Sequence, residues 1–194
     1  MPLVILDRQH VGQVTKLDSL GASFVDSEGV RQYESMETAR YIHEIELECR
    51  RQGFDVIVLS DGRYRERHGR VNYYANQYEG MVMYFACHIN AGGSGEYGCS
   101  FYDYRSSAGE RLARHIANEC SVLGYDWKLF ECRPDNWTKN AFYTIKGTAP
   151  VAICFEPYFI DNPRHREIMM SDEGRQRLAV QFVTALNHYT TERT

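Results

Sequence analysis

The sequence predicts an α/β fold: a single domain with a twisted, mostly parallel sheet and helices on both faces. Two observations carry this prediction. Strand-like apolar runs alternate with amphipathic helical patterns along the chain, which is typical of a parallel sheet covered by helices. The strongest run, 81–90 (MVMYFACHIN), stays almost entirely apolar or aromatic up to Cys87, as expected of a strand buried on both faces. The 194 residues suit one compact domain, and we expect it to span 1–194.

The remaining elements follow from local patterns. Apolar runs predict further strands at 3–6, 55–60, 98–104, 141–145 and 151–155. Apolar stripes at three- and four-residue steps predict helices beginning near 33, 71, 107 and 172, the last ending near 188. Segments 11–32 and 125–140 are predicted to be irregular, and 63–70, with four arginines, to be a solvated loop or a helix start.

Composition excludes several classes of protein. The net charge of −4 argues against a general nucleic-acid binder, which needs a basic surface. No apolar stretch reaches the roughly 18 residues of a membrane span. The amino terminus, MPLVILDRQH, has no basic segment before its apolar run, so no secretory signal is predicted and we expect synthesis in the cytoplasm. The six cysteines contain no CxxC pair and are predicted to be buried, reduced thiols.

Ionisable side chains stand at the carboxyl ends of three predicted strands. These are His10, His88 and Glu156, and in a parallel sheet such positions meet in one crevice. Glu34, in the first turn of the first helix, can reach the same edge. Two imidazoles and a carboxylate form a catalytic zinc site with its fourth position open, and a further carboxylate can act as a general base. The same residues also allow a purely structural interpretation.

Other residues could serve as metal ligands or line the site. Glu37 can replace Glu34 as a ligand, although we prefer Glu34. His43 follows Glu34 on the same helix by nine residues, about two and a half turns, and therefore points away from it. Trp127 and Trp137 belong either to the core or to a groove. The remaining histidines are predicted to be ordinary surface residues: His68, His115, His165 and His188.

Motifs in a characteristic order strengthen the zinc hypothesis. Residues 7–12 (DRQHVG) resemble Asp-Pro-Gly-His-Gly, and Glu34 follows at the start of a helix. Residues 70–76 supply an Arg and an Ala-Asn pair, 86–90 (ACHIN) resemble Ser-Ile-His-Ala-Asn, and 150–162 (PVAICFEPYFIDN) resemble Pro-Ala-Val-Leu-Val-Glu-x-Gly-Phe-x-x-Asn. In this order the motifs resemble the zinc-dependent N-acetylmuramoyl-L-alanine amidases, the family of bacterial cell-division and sporulation amidases and many phage endolysins.

The resemblance implies a function and a site. It implies Zn²⁺ held by His10, Glu34 and His88, with Glu156 as the catalytic carboxylate that activates the water and later protonates the leaving amine. The substrate would be peptidoglycan, cut between N-acetylmuramic acid and the L-Ala of the stem peptide. A single catalytic domain without a wall-binding domain or signal peptide suggests a phage lysin-like, bacteriolytic enzyme that acts on the cell wall after release.

Two departures from the family pattern bear on the site. Arg8-Gln9 replaces Pro-Gly before His10, which predicts a less tightly turned loop with a cation near the site. Tyr158 replaces a Gly, which predicts added bulk beside the cleft. Two alternative functions stay open: a zinc amidohydrolase acting on a small acyl-amino acid or peptide, and a catalytically inert wall-binding module. Against the inert module, all four residues that the chemistry needs are present.

Overall fold

The computed structural model describes residues 1–10, 20–92 and 95–192. Its eight strands are β1 (Leu3–Arg8), β2 (Ser23–Val25), β3 (Arg31–Tyr33), β4 (Asp55–Leu59), β5 (Val82–Cys87), β6 (Tyr97–Asp103), β7 (Asp126–Cys132) and β8 (Val151–Glu156). Its helices are α1 (Glu34–Arg51), α2 (Tyr64–Gln77), α3 (Ser107–Cys120), α4 (Lys139–Ile145), α5 (Pro163–Met169) and α6 (Asp172–Thr191).

Six strands form the central sheet, in the order β4-β1-β5-β8-β6-β7. β4, β1, β5 and β8 are parallel, β6 is antiparallel to β8, and β7 is parallel to β6. The predicted mostly parallel sheet is therefore confirmed. The register pairs Arg8 with Cys87 and Cys87 with Phe155, so β1, β5 and β8 reach the same edge. Side chains that follow these strands are consequently held close together.

Helices cover both faces of the sheet, as predicted. Successive residues of a strand point to opposite faces, so β1 sends Val4 and Leu6 to one core and Leu3 and Ile5 to the other. The first core is closed by apolar residues of α1, α3 and α6. The second core is smaller and is closed by α2 and α4. Both faces of the central strands are thus removed from water, which accounts for the continuous apolar run in β5.

Two secondary-structure predictions were wrong in the second half of the chain. The segment 125–140 contains strand β7 at the sheet edge, where Lys128 and Glu131 can remain exposed. The predicted strand at 141–145 belongs instead to helix α4. Phe142 and Ile145 are three residues apart and both enter the second core, a spacing that suits a helix and not the alternation of a strand.

Other differences concern loops and ends. The irregular segment predicted at 11–32 includes the antiparallel pair β2-β3, whereas its residues 11–19 lie outside the described part of the chain. The arginine-rich segment 63–70 is the first half of α2. Helix α5, which was not predicted, begins with Pro163 and is capped by the Asn162 side chain, a good helix start.

The cysteines follow the sequence prediction. All six are buried and unpaired, and burial raises the thiol pKa of Cys49 to about 12. Because the thiolate is the reactive form, such groups behave as small apolar side chains. Among the described residues, no helix has the length and hydropathy that crossing a lipid bilayer would require.

Candidate metal centre

His10, Glu34 and His88 meet at the carboxyl edge of the sheet. His10 follows β1, His88 follows β5, and Glu34 is the first residue of α1. The Glu34 Oε1 atom lies 3.1 Å from His88 Nδ1 and 3.5 Å from His10 Nε2. One ligand atom of each residue lies within 4.8 Å of the others. The structure therefore brings together the three residues predicted as ligands. Glu34, and not the alternative Glu37, lies beside the two histidines.

The Glu34 carboxylate is fixed by backbone amides. Its Oε2 accepts a hydrogen bond from the Ala22 amide at 3.0 Å, and its Oε1 accepts one from the Ile89 amide at 3.0 Å. The chain before β2 packs so closely here that a Cβ at Gly21 would collide with the Glu34 side chain. Gly21 also has φ +79°, a conformation that favours glycine. The segment before β2 thus positions the Glu34 carboxylate through its backbone and not through its side chains.

Mutual electrostatics tune the three groups. Burial raises the pKa of Glu34, but the hydrogen bond to His88 and the charges of His88 and His10 outweigh it, so that its pKa is lowered. Burial disfavours the charged form of His88, yet Glu34 raises the pKa of His88. The pKa of His10 is lowered, because burial outweighs the attraction of Glu34. An ionised carboxylate beside an uncharged His10 is the form in which these groups bind a metal.

A buried polar cluster lies beneath the turn that carries His10. Asp7 is fully buried, and its Oδ1 lies 2.6 Å from Nε of Arg67. The Tyr84 hydroxyl donates to Asp7 Oδ2 at 2.8 Å, and Gln9 Nε2 donates to the same oxygen at 2.7 Å. Arg67 also donates to Gln9 Oε1 at 3.1 Å. These bonds tie α2 to the end of β1 and leave the Asp7 charge compensated.

The prediction of a solvated arginine segment was wrong for Arg67, which is 3% exposed. The signal that identifies it is helical spacing. Arg67 precedes the buried Val71 by four residues, so both lie on the same face of α2. Arg70, which the sequence comparison matched to the family's Arg, forms an ion pair with Asp61 at 2.7 Å instead.

Arg8 and Gln9 hold the turn that the sequence predicted to be looser. Arg8 Nε donates to the Ser35 carbonyl at 2.9 Å, which links the turn to the helix of Glu34. Gln9 is buried and bonds the cluster below. His10 has φ +60°, a left-handed conformation that is uncommon outside glycine. Side-chain hydrogen bonds therefore compensate for the absent Pro-Gly pair.

Glu156 ends β8 at the same edge of the sheet. Its carboxylate accepts weak hydrogen bonds from the thiols of Cys99 and Cys154, at 3.7 and 3.8 Å. Burial raises the pKa of Glu156, the charge of His88 opposes this, and the charge of Glu34 adds to it. A carboxyl group with a raised pKa is a better match for both accepting and donating a proton than an ordinary carboxyl group.

A cleft extends from Glu156 over β6 and β7. It has a volume of about 450 Å³, and its rim carries Trp137, which is 68% exposed. Trp127 is half-buried instead and donates from its ring N–H to the Ser100 hydroxyl at 3.1 Å. Tyr158 is 1% exposed and belongs to the core. The prediction that Tyr158 adds bulk beside the cleft was therefore wrong, because its side chain faces the helical layer.

Comparison with known proteins decides the family. Residues 13–188 match the family model described as N-acetylmuramoyl-L-alanine amidase. The chain belongs to this amidase family. It is accordingly a peptidoglycan amidase, an enzyme that hydrolyses the amide between N-acetylmuramic acid and the L-Ala of the stem peptide, and the predicted activity is confirmed. The matched segment begins after His10. No curated protein sequence is similar enough to match the chain.

Solved amidase structures share the fold over nearly the whole chain. The catalytic domain of CwlV from Bacillus (Paenibacillus) polymyxa var. colistinus is 17% identical, with a TM-score of 0.72 and coverage of 98% of this chain and 99% of that one. CwlD of Clostridioides difficile, solved in complex with the GerS lipoprotein, is 16% identical, with a TM-score of 0.71 and 98% coverage of both chains. The apo form of Ami1 from Mycobacterium abscessus is 17% identical, with a TM-score of 0.67 and coverage of 97% and 98%.

The other predicted candidates of this amidase lie away from the three ligands. Glu37 is buried and pairs with Arg40 at 2.5 Å. His43 is exposed. His165 was predicted to be a surface residue, but it is fully buried and its Nδ1 accepts a hydrogen bond from the Phe159 amide at 3.0 Å. It therefore organises the turn between β8 and α5.

Proposed function

We propose that this amidase uses zinc, with His10, Glu34 and His88 as ligands and Glu156 as the catalytic acid and base. The observation that carries the proposal is the convergence of the three ligands within 4.8 Å. They lie after β1, at the start of α1 and after β5, and are separated by 24 and 54 residues (34 − 10 and 88 − 34). Within the described part of the chain, no other group of three or more such side chains lies as close together.

The donor set fits zinc. Two imidazole nitrogens and one carboxylate oxygen match the three-ligand arrangement of zinc hydrolases, which leaves one coordination position for the reaction. The amides of Ala22 and Ile89 orient the carboxylate, as groups behind metal ligands commonly do. When bound, zinc would act as a Lewis acid that lowers the pKa of water and polarises the scissile carbonyl.

Glu156 supplies the proton transfers in this proposal. The ionised carboxylate takes a proton from the attacking water, and the same oxygen then delivers it to the nitrogen of L-Ala as the amide bond breaks. Burial raises the pKa of Glu156, which improves it as a proton donor in the second step. The Cys99 and Cys154 thiols are weak donors, so they hold the carboxylate without strongly stabilising its ionised form.

Metal removal and replacement test the proposal. We expect a chelator to abolish release of stem peptides from purified peptidoglycan and one equivalent of zinc per chain to restore it. His88→Ala should lower zinc affinity at least 100-fold, measured by competition with a coloured chelator. His43→Ala, an exposed histidine on α1, is the matched control. Zinc binding that His88→Ala leaves unchanged would contradict this ligand assignment.

We extend the proposal to a phage lysin-like role, in which the enzyme is made in the cytoplasm and reaches the wall after a membrane lesion. It rests on the resemblance to a family that includes many phage endolysins. Bacteria expressing the chain should keep growing until a pore-forming agent is added, and their optical density should then fall. Cells expressing Glu156→Gln should not lyse faster than cells without the protein. Lysis of the wild-type culture before permeabilisation would contradict cytoplasmic retention.

A further inference from the structure

The cleft beside Glu156 lies on the far side of β8 from His10. Glu156 lines it together with side chains from β6 and β7, the two strands that are antiparallel to β8. Its volume of about 450 Å³ falls in the range of about 300–1,000 Å³ usual for small-ligand sites. Glu156 lines the cleft and also lies at the sheet edge that carries the metal centre. A ligand bound in the cleft would therefore extend towards the reacting amide.

Aromatic rings and neutral polar groups dominate the lining. Tyr97, Phe101, Phe130 and Phe159 supply rings, whereas amide and hydroxyl groups come from Asn90, Asn140 and Thr138. Among the described lining residues, Glu156 is the only carboxylate and there is no lysine or arginine. A cation contacts one of the lining rings from outside this set, since the Lys128 ammonium lies 3.8 Å from the centre of the Tyr97 ring. The cleft therefore suits a neutral ligand with apolar faces and many hydroxyl or amide groups.

Trp137 presents a large ring to solvent at the rim. It is 68% exposed, although the rings of Phe130 and Phe101 pack against it at 5.0 and 6.0 Å. The neighbouring Thr138 is buried, accepts a hydrogen bond from the Arg133 amide at 2.9 Å and donates one to the Glu131 carbonyl at 3.0 Å. The turn is thus fixed, and the indole packs edge-on against two rings of the cleft. Rigid aromatic anchors of this kind contribute strongly to binding.

We propose that this cleft binds the glycan strand of peptidoglycan, with an N-acetylated sugar ring stacked on Trp137. The inference rests on the proposed function, since it assigns one half of that substrate to one side of Glu156. The C–H face of a sugar ring matches an exposed indole, and its hydroxyl and acetamido groups match the side-chain amides of Asn90 and Asn140. The stem peptide carries carboxylates, for which a lining without cations and with an ionisable Glu156 is unfavourable.

Binding to the two separated halves of the substrate tests this assignment without requiring hydrolysis. The probes are glycan chains already stripped of stem peptides, and free stem peptides. Affinity is measured by calorimetry for the metal-loaded protein and for Trp137→Ala. Tyr73→Ala is the matched control, because Tyr73 is 62% exposed on α2, outside the cleft. Circular dichroism and thermal unfolding verify that both variants are folded.

We expect Trp137→Ala to weaken glycan binding at least tenfold and to leave stem-peptide binding unchanged. Tyr73→Ala should bind both probes with the affinity of the wild type. Equal glycan affinity in wild type and Trp137→Ala, or no glycan binding by the wild type, would overturn the assignment. Loss of stem-peptide affinity instead would assign the cleft to the peptide. Release of stem peptides from intact peptidoglycan by the wild type is measured separately, so a failure of the proposed function is recognised independently of these results.

Discussion

Glu156 is the side chain on which the proposed chemistry depends most. Glu156→Gln keeps the size of the side chain but cannot accept the proton of water, so we expect turnover to fall by about 10²–10⁴-fold, the usual contribution of general acid–base catalysis. Zinc affinity should change little, since Glu156 is not one of the three ligands. Stem release by Glu156→Gln at the wild-type rate would remove Glu156 from the mechanism.

The pKa of Glu156 predicts the pH dependence of the reaction. Burial raises this pKa above its ordinary value, and the base must be ionised, so kcat/KM should fall as acidification protonates Glu156. The Cys99 thiol donates to this carboxylate and favours its ionised form. Cys99→Ala should therefore move the midpoint to still higher pH. The measurement is made with excess zinc and with metal content checked at each pH.

Gly21 leaves the space that the Glu34 side chain occupies at the metal site. A methyl group there would displace the Glu34 carboxylate, so Gly21→Ala should weaken zinc binding about tenfold or more. Gly29→Ala is the matched control, because Gly29 has φ +80° but nothing within 4 Å of an added Cβ. Both variants carry similar backbone strain, roughly 1–2 kcal/mol. Equal zinc affinities of the two variants would show that Gly21 does not position Glu34.

At the scale of elements, the Asp7–Arg67 pair joins β1 to α2. Both side chains are almost fully buried, and removing one partner leaves an uncompensated charge, which typically costs about 3–5 kcal/mol. Arg67→Leu should therefore lower the free energy of unfolding by several kcal/mol in urea denaturation. Arg70→Leu, which breaks an ion pair with the largely exposed Asp61, should cost less than about 1 kcal/mol. Similar losses for both variants would contradict this account.

The strands and helices differ in how well the sequence predicts them. β5 and β8 were predictable because buried parallel strands read as continuous apolar runs, and the residues that follow them indicated the site. β7 is an edge strand, and its exposed Lys128 and Glu131 interrupt the apolar run that would have indicated a strand. Helix α4 has only seven residues, too few for a helical period to be distinguished from a strand. Helical spacing with Val71 indicates that Arg67 is buried, but its partner Asp7 lies 60 residues earlier (67 − 7), and such a long-range pairing leaves no local pattern.

At the scale of the whole molecule, the proposed metal links three elements and should stabilise the fold. A ligand that binds only the native state at 100 times its Kd adds about 2.7 kcal/mol. For a domain of this size, that corresponds to a rise in Tm of roughly 5–10 °C. Calorimetry with and without zinc measures the shift, and His88→Ala should abolish it. A Tm of the wild type that does not respond to zinc would contradict a metal that bridges β1, α1 and β5.

We propose that the centre formed by His10, Glu34, His88 and Glu156 breaks one specific amide. The most direct test is a digest of purified peptidoglycan by the zinc-loaded enzyme, analysed by mass spectrometry. We expect intact stem peptides with a free L-Ala amino group, glycan chains of unchanged length, and release that is at least about 100-fold slower with Glu156→Gln. Products cut within the glycan or within the stem, or release of the same stems by Glu156→Gln at the wild-type rate, would contradict this assignment.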